Sequence, residues 1–330
     1  MPDTTPMTAK ARASSNIAFI KYWGNSDHTL RIPVNPSLSM NLDGLYTETT
    51  STWTGDTSAH TLFLNGEVIT EGPALKRVSG YLNDLKQRYE ISGHCVVESS
   101  NNFPMGAGIA SSASAFAALA LSATTAAGLE LPEHELSALA RLGSGSASRS
   151  IPGGFVEWQV GKSHETSVAS TIAPADHWDL VDVIGIVSAE HKSVGSARGH
   201  AMADTSVLQK ARVASAFDRF EVCKQAVLDR DFETFASVVE MDSNVMHAVM
   251  MTSVPSLFYW QPASIGVMQA VRQWRADGLS VCYTLDAGPN VHCICAAADA
   301  QAVQTHLENI AGVTKVLTAR PGGPAMLINA

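Results

Sequence analysis

The 330-residue sequence has no run of lysines or arginines, no CxxC pair and no long uninterrupted apolar stretch. Its 22 basic and 31 acidic side chains give a formal charge of −9, so it lacks the dense positive charge that nucleic acids and anionic membranes require. No segment reaches the roughly 18 consecutive apolar residues of a membrane helix, and the N-terminus lacks a signal-peptide core. These absences predict a soluble cytoplasmic protein with no nucleic-acid or membrane partner.

Cysteine is scarce and odd in number, at 5 residues, with no histidine at metal-ligand spacing. We therefore expect buried free thiols in a reducing compartment rather than a disulfide or a zinc site. The cysteines are Cys95, Cys223, Cys282, Cys293 and Cys295.

The composition, 45% hydrophobic and 16% charged, excludes a disordered chain and provides for sizeable cores. At about 150 residues per domain, the length corresponds to roughly two domains. A boundary near Asp179 predicts an N-terminal domain over residues 1–180 and a C-terminal domain over residues 181–330.

Short apolar runs and helical periodicity alternate along the chain without a regular βαβ pattern. Apolar runs predict strands at residues 16–21, 38–42 and 62–64, and periodic or alanine-rich segments predict helices at 73–88 and 112–128. The absence of regular alternation favours an α+β fold with two layered halves.

In the second half, an apolar run predicts a strand at residues 181–188, followed by a long helical stretch from about 202 to 228. Two further strands, 280–285 and 291–297, flank a loop that begins with Asp286. This arrangement predicts a carboxylate at the mouth of a loop between two paired strands.

A glycine- and serine-rich loop, residues 101–114, leads directly into the alanine-rich helix. Glycines let a backbone approach a ligand, and the free amides at a helix start favour an anion, so the loop can cradle phosphate. It is neither a Walker loop, since no GK[ST] follows, nor a GxGxxG loop, since Ser111 stands at the third glycine position. A flexible turn before a core helix remains the alternative.

This loop resembles the PxxxGLxSSA phosphate loop of the GHMP kinase superfamily. The resemblance implies ATP as the cofactor, with Mg²⁺ bridging its β- and γ-phosphate oxygens and no dedicated carboxylate cage in the protein. The residues in register are Pro104, Gly108, Ile109, Ser111, Ser112 and Ala113, and the implied ATP-binding residues are Pro104, Gly106, Gly108, Ser111 and Ser112.

Further segments, taken in order along the chain, resemble the mevalonate diphosphate decarboxylases. They are residues 16–24, 144–150, 153–158, 241–244 with His247, and 286–290. The resemblance implies the two-lobed GHMP kinase fold, with a ribosomal-protein-S5-like N-terminal lobe, a ferredoxin-like C-terminal lobe and the active site in the cleft between them. It also implies a homodimer.

The implied reaction uses ATP to phosphorylate a tertiary 3-hydroxyl, after which phosphate and CO2 leave and an isopentenyl product remains. The resemblance assigns Asp286 to activate the hydroxyl, Arg149 to hold the C1 carboxylate and Lys21 to lie near the reacting phosphate, with Asn16 contacting Asp286. From the residues alone, Asp286 is more typical of a turn, Arg149 of a surface or salt-bridging arginine, and Lys21 of a solvated strand end.

The same resemblance places Tyr22 in the active site as a substrate-binding residue. It places Ser144, Ser146 and, by a looser alignment, Arg198 at the 5-phosphate end of the substrate; helix capping is the alternative for the two serines. One position departs from the family, because diphosphate-using members typically carry lysine where this chain has Asn25. A missing charge-assisted contact costs about 1.5–3 kcal/mol. The departure predicts 5-phosphomevalonate as the preferred substrate over 5-diphosphomevalonate.

Two other functions remain open on the sequence. One is a GHMP small-molecule kinase, such as a mevalonate 3-kinase, that stops before decarboxylation. The other is a metabolite-binding protein without catalysis. Residues 202–228 and 258–260 could form a subunit contact or belong to the core.

Overall fold

A computed structural model describes residues 7–55, 57–103, 110–188 and 195–329 of the chain. Three predicted ATP-binding residues, Pro104, Gly106 and Gly108, lie outside the described residues.

The described residues form two main sheets and eight α-helices. The strands are β1 (Met7–Ile20), β2 (Asn25–Asp27), β3 (Ile32–Pro33), β4 (Ser37–Thr54), β5 (Thr61–Leu64), β6 (Glu67–Ile69), β7 (His94–Asn101), β8 (Phe155–Trp158), β9 (Ala169–Ala173), β10 (Leu180–Ile186), β11 (Val281–Thr284), β12 (Val291–Ala296), β13 (Lys315–Ala319) and β14 (Met326–Ile328). The helices are α1 (Pro73–Tyr89), α2 (Ser111–Ala126), α3 (Glu133–Gly143), α4 (Ser196–Met202), α5 (Gln209–Asp229), α6 (Phe232–Thr252), α7 (Pro262–Ala276) and α8 (Ala300–Glu308). Short 3-10 helices span Gly145–Ser150, Ala203–Thr205 and Ala297–Asp299.

The first sheet has the order β14-β1-β4-β7-β5-β6, and β8 and β9 extend it from β4. The helices α1, α2 and α3 cover one face through a core that includes Leu82, Phe116 and Leu139. The alanines of α2 let it approach the sheet closely enough for Ser122 Oγ to lie 2.7 Å from Ser51 Oγ on β4. The helices predicted at 73–88 and 112–128 are confirmed as α1 and α2.

The second sheet has the antiparallel order β11-β12-β10-β13. β10, β11 and β12 are almost fully buried because α7 and α8 cover one face of the sheet, while α5 and α6 pack on the other; the edge strand β13 has only Ala319 buried. The strands predicted at 181–188, 280–285 and 291–297 are confirmed as β10, β11 and β12.

The two halves share a core where β1 and β4 pass from one layer to the other. The first residues of β1 alternate between buried and exposed, whereas its last six are all buried, since α5 and α6 of the second half pack against them. There, Phe19 meets Phe235 edge to face, with ring centroids 4.8 Å apart. The end of β1 therefore lies at the junction of the two halves.

The long helix predicted from about 202 to 228 is confirmed over most of its length as α5, but its predicted start is wrong. α4 ends at Met202, and α5 begins only at Gln209. Between them Thr205 Oγ1 donates to the Met202 carbonyl at 2.6 Å, and Ser206 Oγ accepts from the Leu208 amide at 3.1 Å. Such short side-chain bonds to the backbone compete with the helical pattern and end it.

The α+β class and the two-layered organisation are confirmed. All five cysteines are buried and free, as predicted. The division at residues 180 and 181 stays a prediction, and the last strand, β14, returns to pair with β1 in the first sheet. Among the helices described above, none has the length and apolar character needed to cross a bilayer.

Candidate active site

A cleft between the two halves brings together most of the predicted site residues. It is lined by the end of β1, the starts of α2 and α4, the 3-10 helix at 145–150 and the loop after β11. The predicted residues among its lining are Lys21, Tyr22, Ser111, Ser112, Ser144, Ser146, Arg149 and Asp286.

Lys21 and Asp286 form an ion pair across the cleft. Lys21 Nζ lies 2.6 Å from Asp286 Oδ1; the lysine side chain is 1% exposed and the aspartate side chain 26% exposed. Burial opposes ionisation of Asp286, but the nearby Lys21 ammonium outweighs it and holds the pKa of Asp286 below its usual value. Burial also lowers the pKa of Lys21, against the attraction of Asp286. The carboxylate is therefore ionised at neutral pH.

The backbone of Lys21 is fixed by groups from the second half. Its N–H donates to Asp242 Oδ2 at 2.6 Å, and its carbonyl accepts from Arg212 Nη2 at 2.7 Å. Asp242 is fully buried and pairs with Arg219 Nε at 2.8 Å. Sequence reasoning missed both arginines, although their spacing of seven on one helix places them on the same face.

Arg149 is 3% exposed and is oriented by two polar side chains. Its Nη1 donates to Ser37 Oγ at 2.7 Å and its Nη2 to Asn16 Oδ1 at 3.2 Å. Its buried Nε has no hydrogen-bond partner among the described residues. Burial lowers the pKa of Arg149 to about 10, so the group stays positively charged at neutral pH.

The predicted contact between Asn16 and Asp286 is wrong. Asn16 Nδ2 donates instead to Ser150 Oγ at 2.8 Å and to the Ser146 carbonyl at 3.2 Å, and its Oδ1 accepts from Arg149. The reason is its place on β1, where the side chain points to the 3-10 helix rather than to the loop after β11. Asn16 therefore orients Arg149.

Hydroxyl groups gather at the start of α2. Ser112 Oγ lies 3.1 Å from Ser144 Oγ, and Ser111 and Ser146 also line the cleft. The side chain of Ala110 cannot cap α2, and the amides at the start of a helix favour an anion.

Tyr22 forms the opposite wall of this hydroxyl-lined region. Its hydroxyl donates to Asn25 Oδ1 at 2.5 Å, and its ring stacks on His200 with centroids 4.0 Å apart. His200 Nδ1 accepts from the Gly24 amide at 3.0 Å. Burial raises the pKa of Tyr22 to about 12, with the charge of Arg31 acting in the opposite sense, so the phenol stays protonated. His200, a single histidine in a small-residue stretch, gave no usable sequence signal.

Two further arginines line the cleft, and the sequence gave no reason to select them. Arg31 Nε donates to the Leu142 carbonyl at 2.9 Å, while Arg77 Nη2 donates to the Gly143 carbonyl at 2.7 Å. Burial, together with the charge of Arg31, lowers the pKa of Arg77 to about 10. The described lining thus holds four cationic side chains, Lys21, Arg31, Arg77 and Arg149, against one carboxylate, and it suits a highly charged anion.

The structure does not bring Arg198 into the cleft. Arg198 is exposed on α4, whereas Gly195 and His200 of the same region line the cleft. Because α4 presents only one of its faces to the cleft, a position two residues before His200 points elsewhere.

Comparison with known proteins agrees with this geometry. The family model of the diphosphomevalonate decarboxylase-like N-terminal domain matches residues 13–169, and that of the mevalonate 5-diphosphate decarboxylase C-terminal domain matches residues 182–322. The diphosphomevalonate decarboxylase of Candida albicans is 39% identical over 86% of this chain and 83% of its own length.

Solved structures of mevalonate diphosphate decarboxylases are also similar to this chain, over nearly its whole length. Mevalonate diphosphate decarboxylase from Staphylococcus aureus superposes with a TM-score of 0.93 at 35% identity, covering 98% of this chain and 99% of that one. A complex of MDDEF with MVAPP, AMPPCP and magnesium gives a TM-score of 0.92 at 36% identity, covering 99% and 100% of the two chains.

The fold and the cleft define a two-lobed member of the GHMP kinase superfamily. Within that superfamily, the chain belongs to the diphosphomevalonate decarboxylase family and is an enzyme, a carboxy-lyase. The family predicted from the sequence motifs is confirmed.

Proposed function

We propose that this enzyme converts mevalonate 5-diphosphate and ATP into isopentenyl diphosphate, ADP, phosphate and CO2, in the mevalonate route to isoprenoids. ATP phosphorylates the tertiary 3-hydroxyl, and the new phosphate then leaves with its bonding electrons as the C1 carboxylate departs as CO2. The observation that carries the proposal is the convergence of the Lys21–Asp286 pair and Arg149 on one cleft. In such a substrate the 3-hydroxyl needs a carboxylate to activate it, and the C1 carboxylate needs a cation to hold it.

Asp286 orients the 3-hydroxyl and accepts its proton as the hydroxyl attacks the γ-phosphate. Because its pKa lies below the usual value, the carboxylate is ready to accept a hydrogen bond at neutral pH. Lys21, 2.6 Å from Asp286, stabilises the negative charge that builds on the transferred phosphoryl group.

Arg149 binds the C1 carboxylate. A guanidinium pairs with a carboxylate through two parallel hydrogen bonds, and the bonds from Nη1 to Ser37 and from Nη2 to Asn16 hold its plane in place. The buried, unpartnered Nε supplies a donor for the substrate. Holding the carboxylate in a fixed direction aligns the breaking carbon–carbon bond with the leaving phosphate.

ATP binds with its phosphates at the start of α2. Ser111 and Ser112 line the cleft there, and the related complex holds AMPPCP and magnesium beside MVAPP. The part of the chain that the structure describes contains no group of three or more metal-ligating side chains. Mg²⁺ prefers oxygen ligands and retains water, so it fits this hydroxyl-lined region. Ser111 and Ser112 would hold it together with ATP, and it would neutralise phosphate charge.

The relatives named above are diphosphomevalonate enzymes, so the monophosphate preference predicted from Asn25 has no support among them. The cleft also holds more positive charge than the sequence indicated, because Arg31 and Arg77 face it. Both observations favour the diphosphate.

We also propose that the enzyme is a homodimer in the cytoplasm. The exposed apolar residues Val207, Phe217 and Val222 lie in the 202–228 region that the sequence marked as a possible subunit contact, and Phe258 is 65% exposed. The buried free thiols accord with a reducing compartment. Sedimentation equilibrium tests the dimer directly.

The test of function is a parallel incubation of the enzyme, ATP and Mg²⁺ with mevalonate, its 5-phosphate and its 5-diphosphate, following ADP and CO2. We expect both products in equal amounts, with the highest kcat/KM for the diphosphate. Release of ADP without CO2 would identify a small-molecule kinase instead. No turnover with any of the three compounds would indicate a non-catalytic binding protein.

A further inference from the structure

Asn25 is neutral at a position where diphosphate-using members of the family typically carry lysine. The same hairpin has a positively charged residue, Arg31, six positions later. β2 begins at Asn25 and β3 begins at Ile32, with Asn25 opposite Pro33 in the register. Arg31 is the residue directly before β3, and its side chain lines the cleft together with Tyr22, whose hydroxyl bonds to Asn25. The first residue of this hairpin, through its bond to Tyr22, and the turn of the hairpin, through Arg31, thus both meet Tyr22 at one region of the site.

Arg31 is held in place from both sides. Its Nε donates to the Leu142 carbonyl at 2.9 Å, and Arg141 Nη1 donates back to the Leu30 carbonyl at 2.6 Å. These reciprocal bonds tie the turn of the hairpin to the end of α3. Arg31 itself adopts φ +52°, a conformation that non-glycine residues rarely take and that surrounding contacts must maintain.

No carboxylate in the described parts of the chain forms an ion pair with Arg31. Arg77 likewise has no carboxylate among the described residues within ion-pair distance, and the two guanidinium groups act on each other repulsively. Their Nε and Nη2 bonds to carbonyl oxygens orient both planes but leave other N–H donors available. Two like charges held side by side in a cleft favour an anion with charge on two phosphates.

On the proposed function, we infer that Arg31 binds the terminal phosphate of the substrate's diphosphate. It supplies the charge that Asn25 does not, and it makes the enzyme prefer the 5-diphosphate over the 5-monophosphate. The monophosphate lacks the terminal group and loses nothing when Arg31 is removed.

The first test compares both substrates in Arg31→Gln and Arg31→Lys. We expect Arg31→Gln to lower kcat/KM for the diphosphate about tenfold to a hundredfold, as for loss of a charge-assisted bond, and to change that for the monophosphate less than about threefold. Arg31→Lys keeps the charge and retains most of the preference. Arg320→Gln, an exposed arginine paired with Asp179 on the surface, is the control for loss of one positive charge and leaves both values unchanged.

The second test places a positive charge at position 25, the first residue of the hairpin, in the variant that lacks Arg31. The double variant Asn25→Lys with Arg31→Gln should recover at least tenfold of the lost diphosphate activity. The inference is overturned if Arg31→Gln impairs both substrates equally, if Arg31→Lys is as impaired as Arg31→Gln, or if lysine at position 25 recovers nothing.

Calorimetric titration with inorganic pyrophosphate and inorganic phosphate separates this inference from the proposed function. We expect Arg31→Gln to weaken pyrophosphate binding about tenfold and to leave phosphate binding unchanged. If wild-type enzyme releases no CO2 from any mevalonate derivative, the proposed function fails, and pyrophosphate binding still decides the role of Arg31. Equal pyrophosphate affinity in wild type and Arg31→Gln overturns the inference.

Discussion

Lys21 Nζ lies 2.6 Å from Asp286 Oδ1, so the end of the first long strand and the loop between two strands of the second sheet meet through one ion pair. Asp286 is 26% exposed while Lys21 is buried, which leaves the carboxylate as the partner that faces the cleft. The pair brings a carboxylate from the second half to a cleft that the start of α2, from the first half, also lines.

Asp286→Asn should lower kcat by about 10²–10⁴-fold, the usual contribution of a positioned base, because an amide cannot accept the proton of the 3-hydroxyl. KM should change by less than about threefold, since the substrate's charged ends bind elsewhere in the cleft. Steady-state release of CO2 measures both constants. Asp277→Asn, an exposed aspartate bonded to Gln273, is the matched control and should be fully active; retained activity in Asp286→Asn would remove Asp286 from the mechanism.

Asp242→Ala should lower the free energy of unfolding by about 3–5 kcal/mol, because it leaves the Arg219 guanidinium without its buried partner and the Lys21 amide without an acceptor. Urea denaturation gives the value. Asp179→Ala breaks the exposed pair with Arg320 and should cost less than about 1 kcal/mol. Equal costs for the two substitutions would contradict the structural role of Asp242.

Gly145→Ala should raise KM for the diphosphate substrate about tenfold or more. A Cβ at position 145 would lie 2.4 Å from Tyr22 Cε1, so the ring would have to move away from the cleft wall. Gly266→Ala is the comparison, because it lies within α7 with nothing within 4 Å of its added Cβ and should gain about 0.5–1 kcal/mol of stability. An unchanged KM in Gly145→Ala would show that the position of Tyr22 does not limit binding.

The buried pair of His292 and Asp182 should make stability depend on pH. Burial disfavours the charged imidazole, but Asp182, 2.7 Å from Nδ1, outweighs burial, so the pKa of His292 lies above its usual 6.5. The charge of Asp286 also raises this pKa, and the charge of Lys21 opposes the increase. A raised folded-state pKa contributes stability that is complete below about pH 6.5 and lost as pH rises through the folded value. The difference in unfolding free energy between wild type and His292→Gln should therefore shrink from pH 6 to pH 9. A difference that grows with pH would contradict the pairing.

Local patterns predicted the helices whose own composition or periodicity identifies them. The periodicity of α1 and the alanine-rich run of α2 can be read without knowledge of distant contacts, so both were found with nearly correct ends. The break before Gln209 was missed because it depends on Thr205 and Ser206 bonding to nearby backbone, a choice that hydrophobic periodicity does not register.

Site residues that belong to contiguous sequence motifs were predicted, whereas single residues that reach the cleft from separate elements were missed. Lys21, Arg149 and Asp286 each sit in a recognisable segment, and the structure places all three at one cleft. Arg31 and Arg77 reach the same cleft from a hairpin and a helix whose sequences look like ordinary solvated surface. Their bonds to neighbouring carbonyls at the end of α3 are what bring the two side chains to one cleft.

β14 lies antiparallel beside β1, with Lys10 opposite Ile328 and Arg12 opposite Met326. Cutting the chain near residue 180 would consequently not yield two self-sufficient pieces, because the N-terminal fragment would present a bare strand edge that invites aggregation. Joining residues 7 and 329 with a short linker and opening the chain at a surface turn would instead preserve every pairing. Circular permutation, rather than truncation, is the engineering route that this topology permits.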